Sequence, residues 1–368
     1  ITPATDILHE LSKHKAFGVT TFQAEDEIAA VGAAIGASYG GSLGVTTTSG
    51  PGLALKGEAM GLAVSLELPL VIVDIQRGGP STGLPTKTEA ADLMMAMYGR
   101  HGESPMPIVA ARTPSDCFDT AIEAARIALV HQTPVILLSD GYLANGSEPW
   151  RLPEVDDLPE IEVKYATEFN MVDKDGNDVF WPFLRGEDGN RPIALPGTPD
   201  LMHRLGGIEK EDGSGNVSYD PDNHEYMVRL RNDRIASIPV PDAELEEGSD
   251  GDADLLVVGW GSTWGAITGA ARRVRAAGGK VDHVQLTHLN PLPANLGDLL
   301  RSHRRVLVPE LNLGQLVRIL RAEYLVDARP LSKVKGQPFT AGEIHIAIGE
   351  AMEELSGSAG GSTNEEVA

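Results

Sequence analysis

Along this chain, short apolar runs alternate with helix-length intervals, first over residues 1–150 and again after Asp254. A strand buried on both faces reads as a continuous apolar run, so the alternation predicts parallel sheets covered by helices, an α/β fold. Strands are predicted at 19–22, 43–48, 68–74, 108–111 and 134–138, runs rich in valine, isoleucine or threonine. Helices are predicted at 27–39 and 54–66, where small residues allow close approach to a sheet. Another is predicted to start at a Ser115 cap, with Phe118, Ile122, Ala125 and Leu129 on its apolar face, and to end before Pro134. The second half repeats the pattern, with strands at 255–258, 281–286 and 306–308 and helices at 266–277 and 315–326.

Between the halves, proline, glycine and acidic residues rise, and segments 173–178 and 209–216 read as exposed turns whose acids serve solubility. The predicted organisation is therefore a domain at 1–155, an irregular acidic connecting region at 156–247, a smaller α/β domain at 248–352 and a disordered tail at 353–368, rich in glycine and serine.

Composition narrows the function. Of 368 residues 42% are hydrophobic and 23% charged, which places the chain among globular proteins. Asp and Glu number 53 against 30 Lys and Arg, a formal charge of −23 that repels phosphate backbones and anionic membranes, so neither nucleic acid nor membrane is an expected partner. No run approaches the roughly 18 apolar residues of a membrane helix, and no signal peptide is read, so the expected location is the cytoplasm. Ile1 in place of methionine predicts further sequence upstream. The single cysteine, Cys117, cannot alone hold a zinc or iron–sulfur site, and neither the histidines nor the acids show metal-ligand spacing, so no metal site is expected in this chain.

Three segments carry candidate chemistry. Glu25, Asp26 and Glu27 open an alanine-rich helix, where acids complement the helix dipole. An inward-pointing acid there would need a basic partner, so the alternative is a functional carboxylate. Thr46 to Gly52 joins a strand to a helix. It lacks the glycine of a nucleophile elbow, and Lys56 is misplaced for a phosphate-binding loop, which leaves a tight turn or a ligand site. Residues 74–87 run from a strand through Arg77 into a loop of glycine, proline and hydroxyl residues, where open α/β sheets place ligands. Arg77 suits a carboxylate there, or alternatively neutralises Asp74. Residues 258–265 resemble half of a dinucleotide fingerprint, but Trp264 occupies its third glycine position.

These segments, with others, resemble the alpha subunits of the 2-oxoacid:ferredoxin oxidoreductases, nearest the 2-oxoglutarate type. The resemblance rests on Ile-Thr-Pro at 1–3, which matches the end of a Tyr-Pro-Ile-Thr-Pro motif, on Gln-Ala-Glu-Asp-Glu at 23–27 and on Thr-Ser-Gly-Pro-Gly at 48–52. It continues through Gln-Arg-Gly-Gly-Pro-Ser-Thr-Gly-Leu-Pro-Thr-Lys at 76–87, Gly-Arg-His-Gly-Glu at 99–103, Gln-Thr-Pro-Val-Ile-Leu-Leu-Ser-Asp at 132–140, Glu-Leu-Asn-Leu-Gly-Gln-Leu at 310–316 and Lys-Gly-Gln-Pro-Phe at 335–339. The resemblance implies a pyrimidine-binding thiamine-diphosphate fold for the first domain and a transketolase C-terminal-like fold for the second. A gamma-like domain that precedes the motif in many relatives is expected upstream or lost.

The resemblance further implies oxidative decarboxylation of a 2-oxoacid to its acyl-CoA, succinyl-CoA for 2-oxoglutarate, with coenzyme A as cosubstrate. Pyruvate or branched-chain 2-oxoacids are the sibling substrates, and a non-catalytic scaffold of the same fold is the alternative from another class. Thiamine diphosphate is shared with a beta subunit, which supplies the diphosphate-binding loop, Mg2+ and a 4Fe-4S cluster. Electrons then pass to ferredoxin, and the assembly is an alpha2beta2 hetero-oligomer. Residue by residue, Glu27 corresponds to the glutamate that hydrogen-bonds the pyrimidine nitrogen and favours the tautomer able to activate the cofactor. Thr2 corresponds to the threonine at the substrate's oxo and carboxyl region, Arg77 to the 1-carboxylate ligand and Thr86 to a contact with the substrate side chain. Ser49 and Gly50 are expected to line the cofactor cleft, and His101 and Glu103 belong to a motif of interface or catalytic role.

Overall fold

The computed structural model describes residues 1–248 and 253–360, with side chains to residue 357. After α1 (Thr5–Leu11), residues 19–22, predicted as a strand, are irregular and Phe22 is exposed. That short β-prone run finds no neighbouring strand to pair with, and pairing decides. Helix α2 (Glu27–Tyr39) starts where predicted, with the Asp26 carboxylate accepting from the Ala29 amide at 2.7 Å. Strand β1 (Gly44–Thr48) leads into α3 (Gly50–Leu55) and α4 (Gly57–Leu66), so the single helix predicted at 54–66 is two, broken at Lys56. Strand β2 (Leu70–Gln76), α5 (Leu93–Tyr98), β3 (Ile108–Ala110), α6 (Asp116–Val130), β4 (Pro134–Asp140) and α7 (Gly141–Asn145) complete the first half. Ser115 does not cap α6 through its side chain: its hydroxyl donates to Glu148, and the Thr113 hydroxyl accepts from the Asp116 amide at 3.2 Å.

The connecting region carries a small hairpin, β5 (Met171–Val172) with β6 (Asp178–Val179), and a helix, α8 (Pro221–Ala236). The prediction of an irregular, solvated connector is corrected here. Proline at the first turn of α8 and the Asp220 carboxylate accepting from the Asn223 amide at 2.8 Å define a helix within acid-rich sequence. Glu209, read as part of an exposed turn, is bidentate to a buried Arg231, both contacts at 3.0 Å.

The second half contains β7 (Leu245–Glu247), β8 (Leu255–Trp260), α9 (Trp264–Ala276), β9 (Asp282–Leu286), β10 (His288–Asn290), α10 (Leu296–Arg301), β11 (Arg305–Glu310), α11 (Gln315–Tyr324), β12 (Ala328–Ser332) and α12 (Ala341–Gly360). Its sheet has the order β12-β11-β8-β9-β7, parallel except at β7. Strand β10 leaves that sheet and pairs antiparallel with β3, so the first sheet has the order β1-β2-β4-β3-β10. The disordered tail predicted from 353 is corrected as far as the described residues reach: α12 continues to Gly360, because Ile344, Ile348, Ala351 and Leu355 form one apolar face buried against α9. Residues 361–368 lie outside the described residues.

One apolar core joins the halves. Leu70, Ile72 and Ile108 of the first sheet and Leu256, Val258 and Val306 of the second belong to a single buried cluster, with Leu93 and Ala96 of α5 in it. Every residue from β2's Leu70 to Gln76 except Val73 is buried, as expected for a central strand.

Candidate functional site

The parallel strands β1, β2 and β4 end side by side, Thr48 opposite Asp74 and Gln76 opposite Asp140. Ligands of open α/β sheets bind beyond such carboxyl ends, and most of the predicted site residues gather there. Gly52 lies so close to α2 that a Cβ would stand 2.1 Å from Thr48 Oγ1 and 2.5 Å from Glu27 Cγ, so the half-buried Glu27 side chain lies directly over this glycine. Ser49 is fully buried and its hydroxyl has no partner among the described residues. At Gly50 a Cβ would meet the Asp92 carboxylate at 2.7 and 2.8 Å.

Under this surface lies a group that sequence reasoning missed. Lys56 is fully buried at the break between α3 and α4, and its Nζ donates to the Glu27 carbonyl at 3.0 Å. Burial pulls its ammonium below the usual lysine range, opposed by Glu27, Asp26 and Asp74. Asp74 is also fully buried, and neither of its oxygens receives a donor bond among the described residues. Burial, then the neighbouring Asp92, pushes its carboxyl well above the ordinary aspartate value. Burial likewise raises Asp92 to about 6. Two carboxyls facing each other in the interior hold one proton between them, since both cannot ionise. The alternative reading of Arg77 as the neutraliser of Asp74 is not what the structure shows. Its Nη1 donates instead to the Thr2 carbonyl at 2.6 Å, and its Nε is buried without a partner among the described residues.

Thr2 and Thr86, 84 positions apart in sequence, line one open cavity of about 470 Å³. Its other walls come from the start of α1, from Lys87 and Thr88, from α7 and from residues 336–338 of the second half. The loop at the cavity is tied down by the Thr88 hydroxyl, which donates to Asp140 Oδ1 at 3.0 Å. Asp140 also accepts from the amides of Tyr142 and Leu143, and burial raises its carboxyl. Gln76 links β4 to the segment bearing Asp92: its Nε2 donates to the Ser139 carbonyl and its Oε1 accepts from the Asp92 amide.

The 310–316 motif, which resemblance alone gave no role, clamps the halves together. Glu310 is buried and accepts from the amides of Leu316 and Val317, from Asn312 and from Trp260. Asn312 donates to the Ala90 carbonyl at 2.7 Å, and Gln315 accepts from the Met94 amide and donates to the Ala91 carbonyl. These bonds hold the segment around Asp92 in place. His101 and Glu103 stand apart, exposed and without a bonding partner among the described residues. Burial pushes the Cys117 thiol up to about 11, so it is held as a thiol at neutral pH. No cluster of three or more potential metal ligands occurs among the described residues.

The family model "Pyruvate flavodoxin/ferredoxin oxidoreductase, thiamine diP-bdg" matches residues 1–187. The chain is 59% identical over 353 residues to 2-oxoglutarate oxidoreductase subunit KorA of Mycobacterium tuberculosis, covering 96% of this chain and 53% of that one. It thus spans about half the length of that relative. It is 31% identical to 2-oxoglutarate synthase subunit KorA of Methanothermobacter marburgensis, covering 94% of this chain and 89% of the relative. A solved 2-oxoglutarate:ferredoxin oxidoreductase from Magnetococcus marinus, with 2-oxoglutarate, coenzyme A and succinyl-CoA bound, superposes with a TM-score of 0.89 at 38% identity, covering 95% of this chain and 60% of that one. With that family model matching half the chain and a KorA relative matched along most of both lengths, the chain belongs to the 2-oxoacid:ferredoxin oxidoreductase family, as a subunit of the alpha type.

Proposed function

We propose that this chain is the catalytic alpha subunit of a thiamine-diphosphate-dependent 2-oxoglutarate:ferredoxin oxidoreductase, which converts the 2-oxoacid and coenzyme A to succinyl-CoA and carbon dioxide. The observation that supports the reading is that Thr2 and Thr86 line one cavity while Arg77 donates to the Thr2 carbonyl, and that Glu27 packs on Gly52. The names of the relatives and the ligands of the Magnetococcus structure support the choice of substrate.

The residues present suit the pyrimidine half of the cofactor. A carboxylate stands at the first turn of α2, over a glycine that leaves no room for a side chain, and the buried Ser49 hydroxyl at the start of that glycine's helix has no partner among the described residues. Glu27 would hold a proton at the pyrimidine nitrogen, with Ser49 and Gly50 lining the cleft. When bound, thiamine diphosphate supplies the nucleophilic carbon and the electron sink that decarboxylation requires. Arg77 would pair with the 1-carboxylate, the group that departs as carbon dioxide. Because its guanidinium is already tied to the Thr2 carbonyl, Thr2 and Arg77 would position the oxo and carboxyl groups as one unit. Thr86 would meet the remainder of the substrate.

A beta subunit would provide the diphosphate loop, Mg2+ and the 4Fe-4S cluster that passes electrons singly to ferredoxin, in an alpha2beta2 assembly in the cytoplasm. No helix among the described residues is long and apolar enough to cross a membrane. The test is to reconstitute the chain with its partner and follow 2-oxoglutarate- and coenzyme-A-dependent ferredoxin reduction. The expected result is turnover that Glu27→Ala lowers by at least about a hundredfold, as for loss of an acid–base group. A complex that turns over no 2-oxoacid, or is indifferent to Glu27→Ala, contradicts the reading.

A further inference from the structure

The cavity holding Thr2 and Thr86 also holds Lys87, the one cation among the residues that line it. The fold ties the backbone of this lysine to Gly78, the residue after Arg77. The Gly78 amide donates to the Lys87 carbonyl at 3.0 Å, the Leu84 amide to the Gly78 carbonyl at 2.7 Å and the Lys87 amide to the Leu84 carbonyl at 3.0 Å. These bonds close the neck of the 78–87 loop, so Lys87 stands across the neck from the residue that follows Arg77.

Its stem is steered by the second half of the molecule. Gly336 is buried against it: a Cβ there would stand 2.9 Å from Lys87 Cβ and 3.4 Å from its Cγ. Gly336 also has a φ of +64°, a conformation that favours glycine. The lysine stem therefore rests against Gly336 of the 335–339 motif, while the residue is exposed and its Nζ bonds to nothing among the described residues. Asp6 lines the same cavity, so a ligand bringing a second negative charge there would be repelled unless a cation offset it.

We propose that Lys87 is the specificity-determining residue for a 2-oxo dicarboxylate: its ammonium pairs with the distal carboxylate while Arg77 and Thr2 hold the 2-oxo acid end. The inference rests on the reaction assigned above and adds the recognition of the distal group. It separates acids of the same chain length by charge, because a cation with no partner in the cavity favours a carboxylate there over a methyl group.

The experiment compares 2-oxoglutarate with 2-oxovalerate, in which a methyl group replaces the distal carboxylate, on the reconstituted complex carrying the native chain, Lys87→Met or Lys87→Arg. Losing a hydrogen bond to a charged group corresponds to roughly ten- to a hundredfold. Lys87→Met is expected to lower the kcat/KM ratio of 2-oxoglutarate to 2-oxovalerate by that factor, chiefly through the KM for 2-oxoglutarate, and Lys87→Arg to restore much of it. An equal fall for both acids would make Lys87 a support of the loop only and overturn the inference, as would an unchanged ratio. If the native complex turns over neither acid, the reaction itself is wrong and the inference falls with it. That outcome is distinct from a native complex that works but is indifferent to Lys87.

Discussion

Two clusters of charge are buried in this molecule, and they are built in opposite ways. Beneath the connecting region, Glu67 is buried and contacts Arg185 and Arg234, the latter at 2.7 Å. Arg185 also reaches Asp212 at 2.7 Å, and Arg231 is bidentate to Glu209. Arg191 donates to the Leu66 carbonyl, and Lys210, lowered to about 8 by burial, donates to Ser65 and two carbonyls. Beneath the carboxyl ends of the first sheet, by contrast, among the described residues Asp74 receives no donor, Ser49 Oγ has no partner and Lys56 donates to a single carbonyl. Where opposite charges meet, the network binds the connector to the first domain. Buried polar groups left so sparsely matched are found more often at functional sites than in structural networks, which is consistent with the ligand site proposed above.

The sharpest break in that comparison is Glu67→Ala. It would leave Arg185 and Arg234 buried without their shared anion, and removing one partner of a buried pair costs about 3–5 kcal/mol. Urea unfolding should show a loss of that size, and a loss under about 1 kcal/mol would mean the network does not hold the connector.

The carboxyl pair should respond in the opposite sense. Asp92 titrates higher in the fold than in the unfolded chain, so its contribution is fully present below the ordinary aspartate value near 3.8 and is lost as pH rises through about 6. Asp92→Asn should therefore flatten the decline of stability over that range, gaining of the order of 2 kcal/mol at pH 7 relative to pH 4. An undiminished decline in the variant would show that Asp92 ionises freely.

Lys56→Met should have the smallest effect. Burial lowers the lysine, so retaining its charge at neutral pH opposes folding, and a methionine of similar length should leave the chain as stable or slightly more so. A clear loss of stability would place Lys56 with the matched network.

Much of this architecture was legible before the structure. Strands β2 and β4 read clearly because each opens with an unbroken apolar run, at 70–73 and 134–138, and α2 because Asp26 caps it ahead of an alanine-rich run. Failures came where tertiary context overrode local pattern. Residues 19–22 had strand composition and no strand to pair with, while α8 and the end of α12 were hidden by acidic or glycine-rich composition. Within the site, Thr2 and Thr86 came from resemblance, since a separation of 84 positions says nothing of a shared cavity, whereas Arg77 was also legible as a carboxylate ligand from its place at a strand end. Lys56 and Asp92 were missed for physical reasons. A lysine in a helical stretch ordinarily reads as solvated, and an aspartate before an apolar helix reads as its cap.

The central claim is that Arg77 binds a substrate carboxylate and does not merely brace the loop. Its direct test is kcat/KM for 2-oxoglutarate in the reconstituted complex carrying Arg77→Ala, measured alongside the stability of the chain. Loss of a charge-assisted carboxylate pair predicts a fall of roughly a hundredfold, with unfolding little changed. Turnover within about twofold of the native complex, on the same scale of transition-state stabilisation, would contradict the account and leave the fold as a scaffold without chemistry of its own.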